Sequence, residues 1–152
     1  MTASQTGKSG KTLMIVEDEA LIALALRDKL GDAGYNVLDL TDRHTEAMAV
    51  ARESKPDLAL VNIRLAGRDD GIELAEQLKA LGIPVLLISG QVSRARSANT
   101  VAIASLPKPY DAADMVLAVD YLLARLQGDA SLPSPPGLEV FDEPGFDLAP
   151  SA

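Results

Sequence analysis

The chain contains no cysteine and no tryptophan, and its 152 residues include only three Tyr and two Phe. The missing cysteine excludes disulfides, thiolate catalysis and Cys-based metal sites, and it agrees with a reducing compartment. With aromatics at 3%, the core has to be built from Ala, Leu, Ile and Val. No apolar run approaches the ~20 residues that a bilayer-spanning helix requires, so no membrane partner is expected. The opening MTASQTGKSGK is polar and lacks the apolar centre of a secretion signal. Residues 1–10 therefore read as a flexible leader and the protein as cytoplasmic. Basic residues are absent from one whole region. All 14 Lys and Arg precede residue 128, and the tail beyond it carries five of the eight net negative charges. An acidic chain without a basic cluster is poorly suited to nucleic acid, because phosphate contacts supply most of that affinity.

What is present is a hydrophobic fraction of 47%, enough for one ordinary domain with a real core. Between residues 11 and 127 two kinds of segment alternate. TLMIV (12–16), NVLDL (36–40), DLALVN (57–62), PVLLIS (84–89) and AIASL (102–106) are short apolar runs with strand character. Between them lie segments of helical spacing: 19–34, ended by Gly31 or Gly34, 45–54 with Thr45 as a cap, and 72–82. Residues 111–126 open with Asp111 as N-cap and carry an apolar stripe from Met115 to Leu126. The stretch GQVSRARSANTV (90–101) has little apolar periodicity and predicts a short or frayed helix. Residues 128–152 hold five of the nine prolines and show no amphipathic period, so they read as a disordered acidic tail. Its LEVF and GFDL clusters are the two segments that could act as docking motifs.

Strand and helix in alternation imply a doubly wound five-stranded parallel sheet with helices on both faces, in the flavodoxin-like order 2-1-3-4-5. That order puts a ligand crevice at the carboxyl ends of the first and third strands. Glu17, Asp18 and Glu19 stand together at the end of the first, where adjacent acids repel unless a cation or solvent offsets them. Glu17 and Asp18 are hard oxygen ligands suited to Mg²⁺, whereas Glu19 reads as a cap of the first helix. Asn62 ends the third strand, Ser89 and Gly90 the fourth, and Lys108 follows the fifth. A lysine facing two carboxylates and a hydroxyl would hold an anionic group whose charge the cation neutralises.

These features resemble the receiver domains of two-component response regulators. The likeness spans residues 11–127 and rests on MIVEDEA, KPDLALVNIRLAGRDDGIELA, IPVLLISG and LPKPYDAADM. Such domains bind Mg²⁺ and take a phosphoryl group from a histidine kinase onto an aspartate at the end of strand 3. By this likeness Glu17 and Asp18 flank the metal, and the Arg64 backbone carbonyl is a further ligand. Ser89 is the hydroxyl that moves toward the phosphoryl group, Lys108 pairs with that group, and the Lys108–Pro109 bond is cis.

Three departures bear on function. The acceptor position is Asn62, whose neutral amide is no nucleophile toward phosphorus. Its carbonyl can still coordinate a cation, but with a charge lost Mg²⁺ should bind more weakly. Ser105 stands where many receivers carry an aromatic that swings inward. The span from Ser89 to Lys108 is short, similar to a subgroup with TG after strand 4, LxKPF at strand 5 and a reduced helix 4. The resemblance implies a single-domain response regulator, not an enzyme, fed by a histidine kinase or histidine phosphotransfer protein. Its output would pass to a downstream protein through the face made by helix 4, strand 5 and helix 5. Asn62 is either natural, giving a pseudo-receiver that signals by binding alone, or an engineered replacement of an acceptor aspartate. Asp69 and Asp70 are conceivable substitute acceptors but read as solvent-facing or capping residues. Asp57 lies at the opposite end of the sheet, and His44 reads as an exposed loop residue. A hydrolase with an Asp nucleophile needs the same missing carboxylate, and a nucleotide module lacks its glycine-rich loop after strand 1.

Overall fold

The computed structural model describes residues 10–141. In chain order it forms β1 (Thr12–Val16), α1 (Ala20–Asp32), β2 (Asn36–Val37), α2 (His44–Ser54), β3 (Leu58–Asn62) and α3 (Gly71–Ala80). There follow β4 (Val85–Ser89), α4 (Val92–Ser97), β5 (Ala104–Pro107), α5 (Ala112–Leu126) and β6 (Glu139–Val140). The strands lie in the order β2-β1-β3-β4-β5-β6. The first five are parallel, as the alternating pattern requires, and β6 joins β5 antiparallel.

The alternation of side chains along each strand divides the core into two apolar layers. Met14, Val16, Ala59, Val61, Val85 and Leu87 face α2 and α3 residues such as Met48, Leu74 and Leu78. Leu13, Ile15, Leu58, Leu60, Leu86 and Ile88 face α1 and α5, where Leu26, Leu30, Met115 and Leu122 are buried. Every side chain of β3 and β4 is buried, which is why their sequences read as unbroken apolar runs. The aromatic-poor composition is thus packed out with aliphatic side chains.

Local boundaries agree with the sequence expectation at α1 and α4 and depart from it at β2 and α2. α1 ends with Ala33 as C-cap, and Gly34, at φ 106°, makes the left-handed exit; Gly31 stays within the helix. β2 pairs over two residues only, although Leu38 still donates to the Leu13 carbonyl at 2.9 Å. Thr45 does not cap α2. The helix begins at His44, whose backbone N–H donates to the Asp69 carboxylate at 2.8 Å, a cap supplied from a distant loop. The fourth helix is short, six residues, as the weak periodicity predicts.

The tail expected to be disordered from residue 128 is ordered in part. Leu138 to Phe141, the LEVF cluster, returns to the sheet. Glu139 and Val140 pair with Ser105 and Ala104, and Phe141 is only 6% exposed. Its partner strand lies far earlier in the chain, so no local periodicity announces the pairing. The GFDL cluster and the leader at 1–9 lie outside the described residues.

Candidate functional site

The parallel register delivers the candidate residues to one end of the sheet. Val16 pairs with Val61, Asn62 with Ile88, and Ser89 with Pro107, so the four strand ends open side by side. They enclose a cleft of about 370 Å³ lined by Asp18, Glu19, Asn62, Ile63, Arg64, Ser89, Gly90, Gln91 and Lys108. The structure therefore brings Asp18, Asn62, Arg64, Ser89 and Lys108 together at one cavity. Glu17 sits behind them, 2% exposed. Asp57 lies away from the cleft, accepting from the Thr12 backbone N–H at 2.8 Å.

Asn62 is 4% exposed and both hydrogens of its NH₂ group are committed. Nδ2 donates to Asp18 Oδ1 at 3.1 Å and to the Arg64 carbonyl at 2.6 Å. A carbonyl oxygen can only accept, so it is the NH₂ end of the amide that faces the acidic corner. The two oxygens that would face a cation thus receive amide hydrogens instead. The Arg64 carbonyl is held in reach by a tight loop in which Leu65 donates to Asp69 and Gly71 donates to Ile63 at 2.6 Å. Gly71 is essential to that approach, since a Cβ there would lie 2.1 Å from the Asn62 carbonyl oxygen.

Glu17 carries the largest electrostatic perturbation in the corner. Its Oε2 accepts from the Glu19 backbone N–H at 3.2 Å, while Oε1 is buried and meets no hydrogen-bond partner among the described residues. Burial, helped by the neighbouring Asp18, pushes its pKa up to about 7, against the opposing pull of the Glu19 N–H and the Lys108 charge. Glu19 occupies the N-cap position of α1, as expected, although its side chain makes no capping hydrogen bond and instead lines the cleft. The Tyr110 phenol is raised to about 12 by burial and by the nearby Glu17 and Glu19 charges.

Ser89 Oγ accepts from the Gln91 backbone N–H at 2.6 Å, which sets its position at the mouth of the cleft. The Lys108 backbone N–H donates to the Ser89 carbonyl at 2.9 Å, and the Lys108–Pro109 peptide is cis. Neither Asp69 nor Asp70 lines the cleft. Asp69 caps α2, and Asp70 caps α3 by accepting from Ile72 at 2.8 Å while pairing with Arg94 at 2.8 Å. His44 is the first residue of α2, half-buried rather than a loop residue. Sequence reasoning passed over Gln91 and Gly71. The signal for Gly71 was its place directly after an Asp cap, where a helix former would be expected.

Among the described residues no three acidic or histidine side chains stand close enough to hold a metal ion by themselves. The oxygens that would hold a small divalent cation are instead those of Glu17 and Asp18 with the Arg64 carbonyl, a hard donor set. The buried, unpartnered Glu17 oxygen supports that fit, and the Asn62 NH₂ opposes it until the amide turns its oxygen inward.

Five parallel strands between helices, with acids, a hydroxyl and a lysine on adjoining strand ends, define a doubly wound α/β domain whose cleft lies at the carboxyl ends of its strands. The response regulator receiver domain model matches residues 13–120, and the chain belongs to that family. The transcriptional regulatory protein PdtaR of Mycobacterium tuberculosis is 31% identical over 123 residues, covering 77% of this chain and 58% of that protein. The phyllosphere-induced regulator PhyR of Methylorubrum extorquens is 37% identical over 84 residues, 54% of this chain and 32% of PhyR. The chain thus spans little more than half of the first and a third of the second. A CheY-like receiver structure from Methanospirillum hungatei matches with TM-score 0.70 at 25% identity, over 78% of this chain and 97% of that one. The NtrX receiver domain from Brucella abortus matches with TM-score 0.68 at 28% identity, over 73% and 97% respectively. No helix among the described residues is long and apolar enough to cross a membrane.

Proposed function

We propose that this chain is a two-component receiver that works by protein contact, with its phosphoacceptor position held by Asn62 and closed to phosphoryl transfer. The observation that carries the reading is the double donation from Asn62 Nδ2 to Asp18 and Arg64. An amide nitrogen delocalises its lone pair into the carbonyl, so it cannot attack phosphorus. It also supplies, in neutral form, the hydrogen-bond donors that settle the repulsion among the acids. Mg²⁺ would be held by Glu17, Asp18, the Arg64 carbonyl and Asn62 Oδ1, the last only after the amide turns. When bound, the cation would neutralise the oxygens of a phosphoryl group. Losing the amide's two hydrogen bonds and lacking a carboxylate both weaken that binding. Ser89 and Lys108 supply the hydroxyl and the ammonium at the other side of the cleft. A histidine kinase or histidine phosphotransfer protein is the upstream partner, and a downstream protein docks on the α4–β5–α5 face.

The reversion Asn62→Asp tests this directly. The reverted and parent proteins are each incubated with acetyl phosphate and Mg²⁺, and intact mass is measured. The reverted protein should gain one phosphoryl group and the parent none. Its Mg²⁺ affinity should rise on the order of tenfold, the effect of one restored charge at contact distance. A parent that gains the phosphoryl group overturns the blocked-acceptor reading. If neither does, the cleft is not a phosphorelay site and the chain acts as an interaction scaffold.

A further inference from the structure

The β5 edge of the sheet offers a second site. The side chains of Ala104, Ser105 and Leu106 are buried, yet β5 is the last parallel strand and turns one row of backbone N–H and C=O groups away from β4. Such an edge recruits any extended strand that fits it. The opposite edge, β2, spans only two residues and offers much less.

This chain fills the β5 edge with its own tail. Ala104 pairs with Val140 and Ser105 with Glu139, and the Phe141 N–H donates to the Ile103 carbonyl at 2.8 Å. Phe141 enters the apolar layer that contains Ala95, Ala98 and Ala102, while Leu138 packs against the opposite layer. Arg96 Nε donates to both oxygens of the Glu139 carboxylate, at 2.9 and 3.0 Å. The edge therefore reads a simple pattern: an extended strand with an acid beside Arg96 and an aromatic two residues on.

The cover is slight. Its ladder is two residues long, and the Arg96–Glu139 pair is exposed, at 63% and 38% of the side chains. A segment of no regular secondary structure, carrying Pro133, Pro135 and Pro136, leads to it from α5. Beside it lies a groove of about 430 Å³ lined by Val92, Ala95, Arg96, Ser105 and Leu138 among others, left open because Ser105 is small. A strand held mainly by its tether keeps its place through high local concentration, and a longer strand of the same pattern displaces it.

We infer that the β5 edge with Arg96 is the docking site for an extended acidic and apolar segment of a partner protein, and that residues 138–141 are its competing cover in cis. The inference specifies the output face proposed above and rests on that reading for the partner's role. The following test uses neither phosphodonor nor Mg²⁺, so its failure is separate from any failure at Asn62.

A fluorescent peptide of sequence PGLEVFDE, residues 136–143, is titrated by anisotropy into the full chain and into a Glu139→Lys/Phe141→Asp variant. The variant should bind the peptide about tenfold more tightly than the parent, whose edge is already filled. Adding Arg96→Ala to that variant should weaken binding of the peptide about threefold, and a peptide with Gln in place of its first Glu should not feel that replacement. If circular dichroism shows the double variant unfolded, Glu139→Lys alone replaces it, with a gain of about threefold expected. Equal binding by parent and folded variant, or none by the variant, overturns the inference. So does a parent that elutes as a dimer while the variant is a monomer, because a second copy would then supply the covering strand.

Discussion

Replacing Gly71 with alanine should destabilise the fold through the very backbone that presents Asn62. A Cβ at position 71 would stand 2.1 Å from the Asn62 carbonyl oxygen and 2.9 Å from both the Asn62 carbonyl carbon and Ile63 Cα. Ordinary contact begins at 3.4 Å, and all three neighbours are main chain, so no side chain can rotate away. Either β3 or the start of α3 must shift. β3 is buried throughout and hydrogen-bonded on both sides, so the strain goes into a tightly packed part of the core. Overpacking of this kind costs about 2–3 kcal/mol. For a domain of this size that lowers the melting temperature by roughly 10 °C and the urea midpoint by about 1–2 M at unchanged slope. Gly31→Ala is the matched control. Gly31 lies within α1, and an added Cβ meets nothing within 4 Å, so the gain in helix propensity should stabilise by about 0.5–1 kcal/mol. Urea unfolding followed by circular dichroism measures both. A Gly71→Ala protein within about 0.5 kcal/mol of the parent would show that the loop after β3 is pliable, and the account of how Arg64 is held against Asn62 would fail.

Glu17 gives a prediction in pH. Its folded-state pKa of about 7 lies above the ordinary 4.5, so between those values the folded protein keeps a proton that the unfolded chain has lost. Its contribution to stability is therefore complete below pH 4.5, falls as pH rises toward 7, and is flat above. In EDTA, the Glu17→Gln protein should lack this fall, so the parent-minus-variant difference should change by about 1–3 kcal/mol across that window. A difference independent of pH would refute it. Tyr35, 6% exposed, donates its hydroxyl to Asp120 and so ties the start of β2 to α5. Tyr35→Phe should lower stability by about 1–2 kcal/mol in a thermal melt. Asp70→Ala removes the cap of α3 and should cost about 1 kcal/mol, whereas Arg94→Ala, which removes only the partly exposed ion pair, should cost under about 0.5 kcal/mol. Equal losses for the two would mean that the pair, not the cap, stabilises the helix start.

Much of this architecture was legible because it is written locally. The apolar runs ending at Val16, Asn62 and Ser89 locate three strand ends to the residue, and the alternation suggests the order of the five parallel strands. Helix ends were harder where the deciding group is distant. Asp69 caps α2 from another loop, so Thr45, which sits next to the helix start and has the right chemistry, was a reasonable but mistaken choice. The covered β5 edge was hidden for the same reason. Prolines and the absence of a period in the tail describe its first ten residues well, but Phe141 gains its burial from a strand that precedes it by a whole helix. At the cleft, residue types identified which groups converge. They did not reveal that the Asn62 amide points its NH₂ inward, because that orientation depends on where the Arg64 carbonyl lies after the chain has turned.

Ser89 stands as a partition. It forms part of the wall of the cleft at the strand ends and also of the groove beside the returning tail. The two hollows therefore trade space across a single small side chain. Drawing its hydroxyl toward one enlarges the other, and bulk added at this position narrows both. Crosstalk between them needs no long relay of rearranging residues, only the motion of one hydroxymethyl group whose oxygen accepts from the Gln91 backbone N–H.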